Sequence, residues 1–82
     1  MDNRRQEVMT RLNRVFQEVF DDDTLQIQDD TTSKDIEEWD SVEHIALVIA
    51  TEKAFGIRLN AAEVGRLQNV GAMVDLLLAR TV

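Results

Sequence analysis

Cysteine is absent from the 82-residue chain, which excludes a disulfide framework, a thiolate metal site and a thiol nucleophile of its own. A single histidine leaves too little for a His-rich metal cage. Proline is also missing, and glycine occurs three times, at Gly56, Gly65 and Gly71. With few breakers among many good helix formers, a mostly helical domain is expected. Aromatic residues make up 5%, so aliphatic side chains must build most of the core. No apolar run exceeds the six residues from Ile45 to Ala50, far short of the ~20 a membrane helix needs. The opening residues, Met1 to Arg5, lack the apolar stretch of a secretory signal. A cytoplasmic location and no membrane partner are therefore expected.

What is present fits one small globular domain over residues 1–82, with 44% hydrophobic and 30% charged residues. A domain of this size has little room for both a stable core and a deep substrate pocket. A carrier, adaptor or binding module suits it better than an autonomous enzyme. The net charge of −7 repels phosphate backbones, which argues against a nucleic-acid partner. That charge is regional. Residues 1–20 and 44–82 each carry +1, whereas residues 21–43 hold ten acids against Lys34 alone, for −9.

Val8, Leu12, Val15, Phe16, Val19 and Phe20 form one apolar stripe of an amphipathic helix over about residues 3–20, with Asp2 or Asn3 as its cap. The acidic stretch that follows contains Asp21-Asp22-Asp23, Asp29-Asp30 and Thr31-Thr32-Ser33, residues that favour turns. Leu25, Ile27 and Ile36 are expected to pin this long loop to the core. Asp40 followed by Glu43 has capping-box spacing and should open a second helix that runs to Phe55 and stops at Gly56. Asn60 or Ala61 opens a short turn through Val64 to Leu67. Asn69 then caps a last helix bearing Val70, Met73, Val74, Leu77 and Leu78. The fold class expected is all-α: a bundle of three longer helices and one short third helix, with a long loop between helices one and two. Its core should contain Val8, Leu12, Val15, Phe16, Val19, Ile45, Val48, Phe55, Leu67, Val74 and Leu77.

Ser41 falls just inside the second helix, where unpaired backbone N–H groups and the positive end of the helix dipole would favour an attached phosphate. A serine in that place is commonly a mere helix-start residue. The wider pattern says more. Asp40-Ser41-Val42, then Glu52 and Phe55-Gly56-Ile57, and later Val70, resemble the acyl carrier protein family, whose signature is Asp-Ser-Leu at the head of the second helix and Glu-x-x-Phe near its end. The likeness covers nearly the whole chain, from the amphipathic first helix through the acidic loop to the apolar fourth helix.

The resemblance implies that Ser41, in a motif with Asp40, receives a 4′-phosphopantetheine arm from coenzyme A through a separate phosphopantetheinyl transferase (a holo-carrier synthase). The arm's thiol would carry acyl groups as thioesters between acyl-loading and acyl-processing enzymes of fatty-acid, polyketide or related secondary-metabolite biosynthesis. Thioester chemistry then needs no cysteine, and the carrier is a non-catalytic monomer. Two departures stand out. The family often reads Asp-Leu-Gly-x-Asp-Ser, whereas Asp35-Ile36-Glu37-Glu38-Trp39-Asp40-Ser41 is one residue longer and sets Trp39 before the Asp. That form resembles discrete carriers outside the housekeeping fatty-acid type. Ala46 and Lys53 also stand where the fatty-acid carriers of the family usually have Glu.

Two rival readings involve the same residues. Asp40, Ser41 and His44 include the residue types of a hydrolytic triad, but neighbours on one helix reach triad geometry with difficulty and no nucleophile elbow accompanies them. Asp29, Thr31, Ser33, Asp35, Glu37 and Asp40 fit positions 1, 3, 5, 7, 9 and 12 of an EF-hand calcium loop. Lys34 stands where that loop wants Gly, and Asp40 where it wants a bidentate Glu, so no metal site is assigned. An unmodified helical adaptor is the third alternative. On the second helix, Ile45, Val48 and Phe55 share an arc expected to face the bundle, while Val42, Ala46, Ile49 and Lys53 form a separate stripe expected to dock partner enzymes. Trp39 is expected to pack on the end of the first helix and brace the turn before Ser41.

Overall fold

A computed structural model of the chain describes residues 4–36, 39–67 and 69–80. Its elements are α1 (Arg4–Val19), α2 (Ser41–Phe55), α3 (Ala61–Gly65) and α4 (Val70–Arg80), with no strand among the described residues. Helix α1 buries Val8, Leu12, Val15 and Phe16, the stripe its periodicity announces, and packs on both α2 and α4. Asp2 and Asn3, its expected caps, lie outside the described residues. At its far end Asp21 takes the left-handed conformation, with φ 50°. Its N–H reaches Glu18 O at 3.4 Å and that of Asp22 reaches Gln17 O at 3.0 Å. This is the closure a glycine usually makes; a short polar residue also tolerates it.

Helix α2 begins and ends on local signals. Asp40 Oδ1 accepts from Glu43 N–H at 2.9 Å, and Gly56, at φ 64°, donates its N–H to Glu52 O. Glu52 also accepts from Leu59 N–H through its carboxylate at 2.8 Å, so the Glu of the Glu-x-x-Phe motif ties down the turn after the helix. The buried face of α2 is Leu47, Val48 and Thr51, with Phe55 partly buried beside it. Ile45, expected in the core, is instead 54% exposed. The true face centres on Leu47 and Thr51, and Ile45 lies about a third of a turn away from it at 100° per residue. Thr51 is fully buried, and its hydroxyl is paired there by donating to Leu47 O at 2.7 Å. Of the other expected core residues, Val19, Phe55 and Leu67 pack against the core while remaining partly exposed; the rest are buried.

Asn60 caps α3 by accepting from Ala62 N–H at 2.8 Å, and Asn69 accepts from Ala72 N–H at 2.9 Å in the first turn of α4. The long loop is held by more than Ile27, Ile36 and the partly buried Leu25. Asn13 and Gln17, from the second half of α1, both donate to Leu25 O, and Asn13 Oδ1 accepts from Ile27 N–H at 2.8 Å. Further along, Thr31 O and Asp29 O each accept at 2.8 Å from the N–H groups of Val70 and Gly71. Loop carbonyls thus satisfy the free N–H groups at the start of α4. Arg5 joins the same corner, pairing with Asp29 at 2.6 Å and with Asp75, and both bonds hold its guanidinium above its ordinary pKa.

Candidate functional site

Ser41 is the first residue of α2 and is exposed, so its hydroxyl stands at the helix N-terminus open to solvent. The turn before it is braced from within. Trp39 N–H bonds to Ile36 O at 3.1 Å, and Ile36 is buried. The Trp39 ring meets Phe16 edge-on at 5.3 Å, lies 6.1 Å from Phe20, and stacks on His44 at 6.3 Å with 19° between planes. Its Nε1–H donates to His44 Nδ1 at 3.3 Å. Phe16 and Phe20 sit on and just after the last turn of α1, so that end of α1 and the start of α2 are joined through Trp39. Aromatic contacts of this geometry add about 0.5–1.5 kcal/mol per pair beyond burial.

A cavity of about 550 Å³ opens beside Ser41. Thr32, Ser33, Asp40 and Ser41 form its polar rim; Ile45, Val64, Leu67, Val70 and Met73 supply its apolar wall. His44 also lines it, and the buried His44 Nε2 has no hydrogen-bond partner among the described residues. Above that nitrogen sits Gly65, where a Cβ would come within 3.8 Å of it. The spacing of Trp39 five residues before His44 is visible in the sequence, but the pairing of their rings is not.

Two of the three triad residues serve other bonds. His44 Nδ1 is taken by Trp39, and Asp40 Oδ1 caps the helix through Glu43. Two carboxylates of the calcium-loop pattern are likewise committed. Asp29 pairs with Arg5, Asp35 Oδ2 accepts from Thr32 N–H at 2.9 Å, and Glu37 lies outside the described residues. No group of three metal-ligating side chains forms among the described residues.

Val42, Ala46, Ile49 and Lys53 are all exposed on the side of α2 turned from the bundle, and none is covered by the acidic loop. Exposures of 71% for Val42, 54% for Ile45 and 47% for Ile49 make an apolar strip that starts next to Ser41. No helix among the described residues is long and apolar enough to cross a membrane.

No family model matches the chain. It is 32% identical over 78 residues to an acyl carrier protein of Acidothermus cellulolyticus, covering 95% of this chain and 93% of that one. Its fold is similar to the solution structure of a holo acyl carrier protein from Geobacter metallireducens, with a TM-score of 0.81 and 33% identity over 89% of this chain and 84% of the other.

Proposed function

The chain belongs to the acyl carrier protein family, and from that premise we propose that it carries acyl groups as thioesters on a 4′-phosphopantetheine arm attached to Ser41. The observation that carries this reading is the exposed Ser41 hydroxyl at the first turn of α2, opening onto a cavity of about 550 Å³. The residues there fit such a group. Backbone N–H groups at the helix start suit a phosphate diester. The apolar wall suits the arm's carbon skeleton, and an unpartnered buried nitrogen on His44 suits one of its oxygens. When bound, the arm supplies the thiol that the cysteine-free chain lacks.

Modification takes place at Ser41 Oγ. The oxygen attacks the pyrophosphate phosphorus of coenzyme A that bears the pantetheine. A phosphorus–oxygen bond forms to serine, the one to the adenosine 3′,5′-bisphosphate leaving group breaks, and a base of the phosphopantetheinyl transferase takes the serine proton. The carrier's own part is to present the hydroxyl in a fixed place. Asp40 does so by capping the helix through Glu43, and Trp39 by locking the turn onto α1. The domain spans residues 1–82 and acts as a cytoplasmic, non-catalytic monomer that hands cargo between separate loading and processing enzymes of fatty-acid, polyketide or related secondary-metabolite biosynthesis.

Those enzymes dock on Val42, Ala46, Ile49 and Lys53, with Ile45 at the edge of the patch. An apolar strip beside the modified residue favours partners with an apolar contact surface, and a patch this small suits brief encounters. The test is intact mass after co-expression with a broad-specificity phosphopantetheinyl transferase. The wild-type chain should gain the mass of one arm and Ser41→Ala none, with helical content unchanged. A wild-type chain that stays at its encoded mass, or a Ser41→Ala protein modified elsewhere, overturns the assignment.

A further inference from the structure

The indole nitrogen of Trp39 has a proton and no lone pair to offer, so it can only donate. Its bond to His44 Nδ1 requires a lone pair on that atom, which leaves the ring's proton on Nε2. This N–H is buried, and no described residue accepts from it. Buried donors almost always find acceptors, so an orphan beside a cavity points to an acceptor brought by a ligand.

Its position says which part of a ligand. His44 follows Ser41 by three residues, which puts the two side chains on neighbouring parts of the helix surface, and both line the same cavity. A group esterified to Ser41 passes His44 with its first segment. In 4′-phosphopantetheine that segment holds a dimethyl-substituted carbon, a hydroxyl and an amide carbonyl, whereas the thiol and its cargo lie at the far end. The carbons match the apolar wall of Ile45, Val64 and Met73, and the oxygens are acceptors.

Resting on the carrier reading, we propose that His44 is a positioning residue for the arm: its Nε2–H donates to a hydroxyl or amide oxygen of the segment next to the phosphate and seats that segment in the seam between α2 and α3. Gly65 borders the seam beside Nε2, where even a Cβ would come to 3.8 Å of that nitrogen, and it presents no side chain there. Helix α3, which carries Gly65, is five residues long and is held by buried Val64 and by the exposed Glu63–Arg80 pair. The arm then rests against the domain between transfers.

The experiment uses ¹⁵N-histidine-labelled apo protein converted to holo protein with coenzyme A and the transferase, with intact mass confirming attachment. The readouts are the His44 Nε2 and Nε2–H chemical shifts and the exchange of that proton with water. On conversion both shifts should move, and exchange should slow by about two- to tenfold, the protection one net hydrogen bond provides. In Gly65→Ala the added methyl lies against Nε2 without altering the Trp39 bond, and the His44 signals of its mass-verified holo form should match those of its apo form. Unchanged His44 signals in wild-type holo protein overturn the proposal while leaving the carrier reading intact, and so does an equal response in Gly65→Ala. A wild-type chain that gains no mass overturns both.

Discussion

Gly71 and Gly65 both lie in helices, yet replacing each with alanine should have different consequences for stability. Neither has the left-handed backbone that demands glycine; among the described glycines that belongs to Gly56. Gly71 is there for space. A Cβ at that position would sit 2.9 Å from Asp29 O and 3.3 Å from Asp29 Cβ, and the first of these is a backbone atom that cannot swing aside. The loop would have to retreat from the start of α4, straining the 2.8 Å bonds from Val70 N–H to Thr31 O and from Gly71 N–H to Asp29 O. Overpacking costs about 1–3 kcal/mol, and weakening one of these bonds costs about 0.5–1.5 kcal/mol. Alanine's better helix propensity returns about 1 kcal/mol, and the exposed Arg5–Asp29 pair adds little either way. The net is a loss of about 1–3 kcal/mol, or roughly 4–8 °C in melting temperature for each kcal/mol. At Gly65, where a Cβ would meet His44 Nε2 at 3.8 Å, an ordinary contact distance, Ala should be neutral or stabilising by up to about 1 kcal/mol. Thermal and urea unfolding followed by circular dichroism measure both. A Gly71→Ala protein as stable as wild type would show that the acidic loop is not packed on α4 and would refute the reasoning.

Trp39→Ala removes the ring contacts to Phe16 and Phe20 and should lower stability by about 2–3 kcal/mol, less than the ~3–5 kcal/mol of a fully buried aromatic; solvent-like Trp39 fluorescence in the folded wild type would sink the bracing role. Ile49→Asp should leave the melting temperature within about 2–4 °C, since the side chain is 47% exposed, and reduce the efficiency of modification or acyl transfer about five- to thirtyfold. If Ile49→Asp unfolds the domain without a selective binding defect in the folded fraction, the docking surface lies elsewhere. Asp22 accepts from the hydroxyl and then the N–H of Thr24, which hold its carboxyl below the ordinary range. Its contribution to stability is therefore complete above the ordinary carboxylate pKa and fades as pH falls through the lowered one. Acid titration of Asp22→Asn should show a shallower loss of stability below about pH 4, and identical curves would remove Asp22 from the acid-sensitive groups.

Local chemistry made much of this protein legible in the sequence. Asp40, Gly56, Asn60 and Asn69 mark helix ends because a cap is a bond between residues two to four apart, and the stripe on α1 marks a buried face because its apolar residues repeat with the helix. The placing of Ser41 at a helix start followed from Asp40 in the same way. Tertiary structure decided what local chemistry leaves open. Which side of α2 faces inward depended on Thr51, a polar residue that enters the core because a carbonyl one turn back takes its proton; by hydrophobicity alone Ile45 had the stronger claim. The acidic loop is fixed by Asn13 and Gln17 from α1 and by the free N–H groups of α4, partners that fold back from distant parts of the chain. The surroundings of His44 belong wholly to the tertiary structure, because Trp39 bonds one ring nitrogen and Gly65 lies near the other, and only packing brings those three residues together.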